Sequence, residues 1–366
     1  MRRFYAILSI GLVWLVPVVT AGAGFTHTTD TISLGRELPA ATSAGTCAFF
    51  AGGMTPYSTR VDIYDTGTNS WSTAELSQDR VGLGATASGT QVFFAGGLSR
   101  SGGSDVVDVY DTATSLWTTD TLSSPREYLS AASVGTKAIF AGGYKSNVVD
   151  IYDTTNSTWS TTTLSVGRSD MGATAINGMA FFAGGYLGGI NTTNVVDIYD
   201  SNSDSWTTAT LSQSRSELAA TAVGSKVLFA GGWAWNGSTG IGSDVVDIYD
   251  TITRQWSVSS LSEARYGLAA TTIGDYAIFA GGRNEEFSDV VDIYDSNTDT
   301  WVTTTLSLAR YKLGATEVEG MAIFAGGECL DSPYVSDAVD IFAVPEPATL
   351  SLLGLGAIVF IRRNRK

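Results

Sequence analysis

RVGLGATASGTQVFFAGGLSRSGGSDVVDVYDTATSLWTTDTL, residues 80–122, holds four apolar stretches separated by turn residues. VGLGATAS, QVFFAGG, VVDVYD and LWTTDTL are each short and separated by Gly, Ser, Asp or Thr, the pattern of strands joined by turns; they are named strands A, B, C and D. The run VFFA is continuously apolar rather than alternating, which predicts a strand covered on both faces.

The same frame recurs along the chain. Gly-Gly pairs stand at 52–53, 96–97, 142–143, 184–185, 231–232, 281–282 and 326–327. An arginine precedes the first Gly of every pair by 16 residues: Arg36, Arg80, Arg126, Arg168, Arg215, Arg265 and Arg310. A VD dipeptide follows each pair, and in six repeats its Asp lies 9 residues before a Trp, itself 9 residues before the next Arg. Only the stretch between Gly-Gly and VD varies in length. Four short strands at a period of 42 to 50 residues predict the blades of a propeller. Strand A is built of small residues (GLGATA, SAAS, MGATA, LAATA), as expected where blades crowd an axis. Strand D carries Trp71, Trp117, Trp159, Trp206, Trp256 and Trp301, which are read as filling the wider gaps at the rim.

Gly-Gly after an apolar strand, then VxxYD, then Trp after a polar turn resembles the kelch repeat over residues 36–342. The usual Pro after YD is absent. The resemblance implies an all-β fold, a seven-bladed β-propeller of four-stranded blades. The seventh unit ends at Phe342 without a strand D. HTTDTISLGR at 27–36 parallels WTTDTLSSPR at 117–126, with His27 in the Trp position. An N-terminal strand is therefore expected to close the ring, residues 28–33 pairing beside 338–342 and removing the open sheet edge.

Both ends read as targeting segments. MRR, an apolar run and Ala21-Gly22-Ala23 fit a signal peptide over 1–23, with a membrane anchor as the alternative. At the other end Val344-Pro345-Glu346-Pro347, the apolar run 348–361 and RRNRK resemble the PEP-CTERM sorting signal, a plain anchor being the alternative. That resemblance implies a short C-terminal hydrophobic helix, an exosortase-type processing enzyme as partner, a transient membrane anchor and an exported protein of a Gram-negative-type bacterium, held at the cell surface or in an extracellular matrix and associated with exopolysaccharide. The expected organisation is signal peptide 1–23, propeller 24–343 and sorting segment 344–366.

Composition excludes several function classes. The formal charge is −15, and without the six basic residues of the two ends the body carries −21, which argues against nucleic acid or an anionic membrane face as partner. Cys47 and Cys329 are the only cysteines, read as two separate thiols. His27 is the only histidine, so the two-His copper site of galactose-oxidase-type propellers is unsupported, as are Ser-His-Asp and Cys-His arrangements. No catalytic residue, metal or cofactor is assigned. Asp200/Asp204 and Asp295/Asp299 have calcium-loop spacing but lack the Gly and Glu that complete such a loop; they are read as turn caps.

The fixed spacing generates an expectation about the arginines. Arg and the VD Asp begin strands A and C of one blade, with Gly-Gly of strand B between them. Each Arg is expected to cross its Gly-Gly to that Asp: Arg80 to Asp108, Arg126 to Asp150, Arg168 to Asp197, Arg215 to Asp247, Arg265 to Asp292 and Arg310 to Asp340, with Arg36 and Asp62 in the first repeat. The alternative is an arginine ring at the channel mouth that binds anions such as carboxylated sugars. Function is sought instead in what differs between repeats, the B–C loops. Their Tyr57, Tyr144, Tyr186, Trp233, Trp235, Arg283, Phe287 and Tyr334 suit a polysaccharide or protein ligand. A glycan-active enzyme of epimerase or lyase type, using loop Arg, Glu and Tyr, is the competing reading; a convergent cluster in one pocket would favour it.

Overall fold

The computed structural model describes residues 18–19, 24–330 and 334–344. The rest of the expected signal peptide, the Pro345–Pro347 motif and the expected C-terminal helix lie outside them. Among the described residues no helix is long and apolar enough to cross a membrane.

Seven antiparallel sheets, each with the strand order A-B-C-D, surround a common axis. The A strands are innermost. Each lies against the A strands of both neighbouring blades, and Gly314–Val318 of the last blade returns to Ala40–Ala44 of the first. Their small residues permit that convergence. The B strands carry the core: four of the five residues in Cys47–Ala51, Gln91–Ala95 and their equivalents are buried. This is the double coverage that the continuous apolar runs require. At the rim each Trp is half-buried and packs on a Phe of strand B and a Tyr of strand C. Phe50, Tyr64 and Trp71 form such a ladder, with centroids 6.1 and 5.2 Å from the Trp.

The last blade is completed by the first strand of the propeller. Thr26–Thr31 pairs with Ala338–Ala343, two residues earlier than the sequence frame suggested. The strand keeps the register of the other blades, starting one residue before the Trp position as Ser70–Glu75 does, and Ile32, only 3% exposed, turns inward after it as Leu76, Leu164, Leu211 and Leu306 do, its N–H donating to Asp337 O at 2.8 Å. His27 sits opposite Phe342 as Trp71 sits opposite Tyr64. It stacks on Phe342 at 4.4 Å, and its Nε2 lies 2.7 Å from Asp340 Oδ1. Val18–Val19 adds a two-residue pairing outside this strand.

All seven arginines are buried, none more than 4% exposed, and each forms an ion pair with the VD aspartate of its own blade. Arg36–Asp62 and Arg168–Asp197 are 2.7 Å apart and Arg265–Asp292 2.6 Å. These seven guanidinium groups are therefore buried within their blades and do not form a ring at the channel mouth. Carbonyls of strand B receive further guanidinium hydrogens, as in Arg80 to Phe94 and Gly96. The same aspartates accept the backbone N–H of Ser33, Ser77, Ser123, Ser165, Ser212, Ser262 and Ser307, each on the connection arriving from the preceding blade. The second Gly of each pair donates its N–H to the Arg carbonyl of the following blade, ending with Gly327 to Arg36 at 2.9 Å. Neither glycine of a pair has an alternative: a Cβ on Gly52, whose φ is +65°, would lie 2.6 Å from Arg80 O, and one on Gly53, whose φ is +114°, 2.8 Å from Glu37 O.

Two outcomes follow for stability. Asp247→Ala leaves the buried Arg215 unpaired and should destabilise the protein by about 3–5 kcal/mol in chemical denaturation, whereas replacing both residues by apolar ones of similar volume should cost less. Removal of the chain through Thr31, leaving Arg36 in place, should lower the melting temperature, because Ala338–Ala343 becomes an open edge. An unchanged melting curve would show that closure by the N-terminal strand contributes nothing.

Candidate binding site at the channel mouth

The connection from each D strand reverses direction two residues after its arginine to enter strand A. The residues at that point are Leu38, Gly82, Tyr128, Asp170, Glu217, Gly267 and Lys312, all in the left-handed region, with φ between +52° and +63°. Their backbones join around the axis. Tyr128 N–H donates to Gly82 O, Asp170 to Tyr128, Glu217 to Asp170, Gly267 to Glu217, Lys312 to Gly267 and Leu38 to Lys312, at 2.8 to 3.3 Å. Six bonds thus link the seven positions of this circle, and five of them carry a side chain, each of a different residue type.

The residue just before each of these fixes the start of a B–C loop. Ser169 bridges Tyr186, Ser216 bridges Trp233 and Tyr266 bridges Arg283, while Tyr144 N–H donates to Glu127 O. Tyr144, Tyr186, Trp233 and Arg283 are therefore held at the mouth by backbone pairing, not by free loops. Tyr144 and Tyr186 stack at 6.4 Å. Arg283 lies over the rings of Tyr266, Phe287 and Tyr311 at 5.3 to 5.9 Å, and Phe287 stacks on Tyr311 at 5.7 Å. Trp235 packs beside Trp233 farther out, Tyr334 is 65% exposed, and Tyr57 is half-buried on its own loop.

A cavity of about 490 Å³ opens at the mouth. Tyr128, Tyr144, Tyr186, Asp170, Glu127, Glu217 and Lys312 line it over the apolar side chains of Leu38, Met171, Leu218, Leu268 and Leu313. A second cavity of about 380 Å³ shares Asp170, Tyr186 and Glu217 and extends to Trp233, Tyr266 and Tyr311. The charged groups perturb one another. Burial raises the Asp170 carboxyl pKa, although Ser169 Oγ donates to it at 2.7 Å. Glu217 is pushed up to about 7 by burial and by the charge of Asp170, against the pull of Lys312 and Arg283. The ammonium of Lys312 is held above its usual range: burial opposes this, but Tyr311, Glu37 and Glu217 prevail, with Glu37 Oε2 at 3.8 Å.

Asp170, Glu217, Lys312 and Tyr128 escape a reading confined to the B–C loops. Their signal is the second position after each fixed arginine, which reads L, G, Y, D, E, G, K around the ring. The paired aspartates of the C–D turns lie on the opposite face. Asp200 and Asp295 accept the N–H of Asn202 and Asn297 at 2.8 Å, while Asp204 and Asp299 bond Tyr199 with Lys137 and Tyr294 with Lys226. Among the described residues no cluster of three His, Cys, Asp or Glu could hold a metal. Cys47 and Cys329 form no disulfide.

The fold and the C-terminus find matches among known proteins. Residues 343–366 match the family described as "PEP-CTERM protein-sorting motif". No curated protein resembles the chain closely enough to count as a relative. Among solved structures, the chain of "Structure of YjhT" is 13% identical with a TM-score of 0.62, and the match covers 75% of this chain and 99% of that one. A likeness at that identity speaks to the fold alone. The protein is a seven-bladed β-propeller with a C-terminal PEP-CTERM sorting motif. The motif implies export, processing by exosortase and a transiently membrane-anchored precursor.

Glu217 gives a measurable signature. Its folded pKa lies above the unfolded one, so its contribution to stability is full below the ordinary carboxyl pKa of 4.5 and is lost as pH rises through about 7. Relative to the parent, Glu217→Gln should gain up to about 3 kcal/mol between pH 4 and pH 8 in denaturant titrations. Carboxyl NMR of Asp170→Asn should show the Glu217 midpoint moving down, because a neighbouring negative charge is gone.

Proposed function

We propose that the exported propeller is a non-enzymatic glycan-binding protein whose site is the channel mouth, held at the cell surface or in the extracellular matrix of a Gram-negative-type bacterium. The observation that carries this reading is the convergence of Tyr144, Tyr186 and Trp233 on cavities that share Asp170 and Glu217. Flat aromatic faces accept the apolar faces of sugar rings, and a few fixed polar groups set orientation. Backbone bridges hold these side chains in place before any ligand arrives, which lowers the entropy cost of binding. The exopolysaccharide association implied by the sorting signal agrees with such a ligand.

One observation favours a second reading, a glycan-active enzyme. Glu217, with a pKa of about 7, stands beside Asp170 in the same cavity, an arrangement suited to proton transfer near neutral pH.

Incubation of the exported protein with the producer's own exopolysaccharide separates the two. Binding expects capture with unchanged polymer length, and about tenfold weaker capture by Tyr186→Ala or Trp233→Ala. A shortened or epimerised polymer would establish the enzyme. Undiminished capture by both variants would move the binding site away from the mouth.

A further inference from the structure

The charges at the mouth bear on the kind of glycan. The arginines are not available to it: all seven guanidinium groups are buried and paired within their blades. Three other cations lie near, and two of them, Lys312 and Arg283, already act on Glu217. Lys312 faces Glu37 at 3.8 Å and lies over the Tyr311 ring at 4.8 Å. Arg283 is packed against Tyr266, Phe287 and Tyr311. Lys145 lies over the outer Tyr144 ring at 5.0 Å. The carboxylates are in a different condition. Asp170 and Glu217 come from adjacent positions of the backbone circle, joined by the bond from Glu217 N–H to Asp170 O at 3.0 Å. The Asp170 carboxylate has Ser169 as its hydrogen-bond donor, and among the described residues none donates to the half-buried Glu217 carboxylate. Glu127 adds a third acid to the same cavity. The two acids burden each other, since the charge of Asp170 opposes ionisation of Glu217.

We propose that the mouth selects a saccharide bearing a protonated amine, an amino-sugar unit whose ammonium sits between Asp170 and Glu217 with its ring on the Tyr144–Tyr186 pair. An ammonium supplies the hydrogen-bond donors that Glu217 lacks and cancels the repulsion between the two acids. Tyr186 lines both cavities with these carboxylates and offers a ring face to the cation. A uronic-acid polymer would bring a like charge to Asp170, Glu217 and Glu127 with no free arginine to meet it. This assignment rests on the mouth being the glycan site and narrows the class of glycan.

The test measures binding of three tetrasaccharides to the exported protein by calorimetry: β-1,4-linked glucosamine, its fully N-acetylated form and a tetrauronate. The expected order places the glucosamine tetramer at least about tenfold tighter than the N-acetylated one, with the tetrauronate weakest. Asp170→Asn combined with Glu217→Gln should bring the first two within about twofold of each other, and rising salt should weaken the glucosamine tetramer most. Equal affinity for the amine and its N-acetyl form in the parent protein would overturn the amine while leaving the glycan site standing, as would a preference for the uronate. Failure of all three to bind, when Tyr186→Ala also leaves capture of the native exopolysaccharide unchanged, would overturn the glycan site itself. Tetralysine binding as tightly as the glucosamine tetramer would overturn the assignment in favour of a protein partner.

Discussion

A cation buried beneath a pair of glycines holds this fold together. Each guanidinium is removed from water, a cost recovered only if a carboxylate and several carbonyls meet it in good geometry. The aspartate supplies the countercharge, strand B supplies the carbonyls, and the second glycine leaves room for the arginine stem, as at Gly53, where a Cβ would lie 3.1 Å from Arg36 Cδ. Around Arg310 the paired carboxyl, although burial pushes its pKa up, is drawn below the usual range by His27, Arg310 and the Ser307 N–H. The pair does not act within one blade alone. Its aspartate also grips the incoming connection, and the Gly-Gly beside it binds the arginine carbonyl of the next blade. One buried charge per repeat thus fixes three things together: the top of a blade, its seam with the neighbour and the entry of the chain into the innermost strand.

That arrangement explains how variety and rigidity coexist at the mouth. The residue two positions beyond a locked arginine is held at one height and in one backbone conformation, whatever its side chain. Leu38, Tyr128, Asp170, Glu217 and Lys312 can therefore differ without disturbing the ring. The loops beyond Gly-Gly inherit the same anchoring at their first residue. Glu217 shows what this permits: a carboxyl without a donor, beside another acid, is a local loss of stability that the surrounding frame tolerates.

How much of this was legible in the sequence depends on whether a feature repeats. The arginine, the glycine pair and the aspartate recur at constant spacing, so their juxtaposition could be argued from strand directions before any coordinates. Closure was legible because His27 occupies a slot that six repeats fill with Trp. D strands begin one residue before their Trp, as Ser70–Glu75 does, so the His27 slot places the closing strand at Thr26–Thr31 rather than 28–33. Tyr144, Tyr186 and Trp233 stood out as loop aromatics, and each directly follows its Gly-Gly, 18 residues after the fixed arginine, whereas Tyr334 and Trp235 lie farther along loops of varying length. Asp170, Glu217 and Lys312 each occur once. Their residue types do not repeat, but their position, second after each fixed arginine, does, and the backbone bonds between those positions show that the three share a site.

Thr26 pairs with Ala343, so the chain enters and leaves the propeller side by side, at the lower ends of strands C and D. The mouth lies at the other end of those strands. The sorting motif begins at residue 343, with no spacer between the last strand and the segment to be processed. The segment to be processed therefore leaves the propeller at the end remote from the aromatic and acidic mouth.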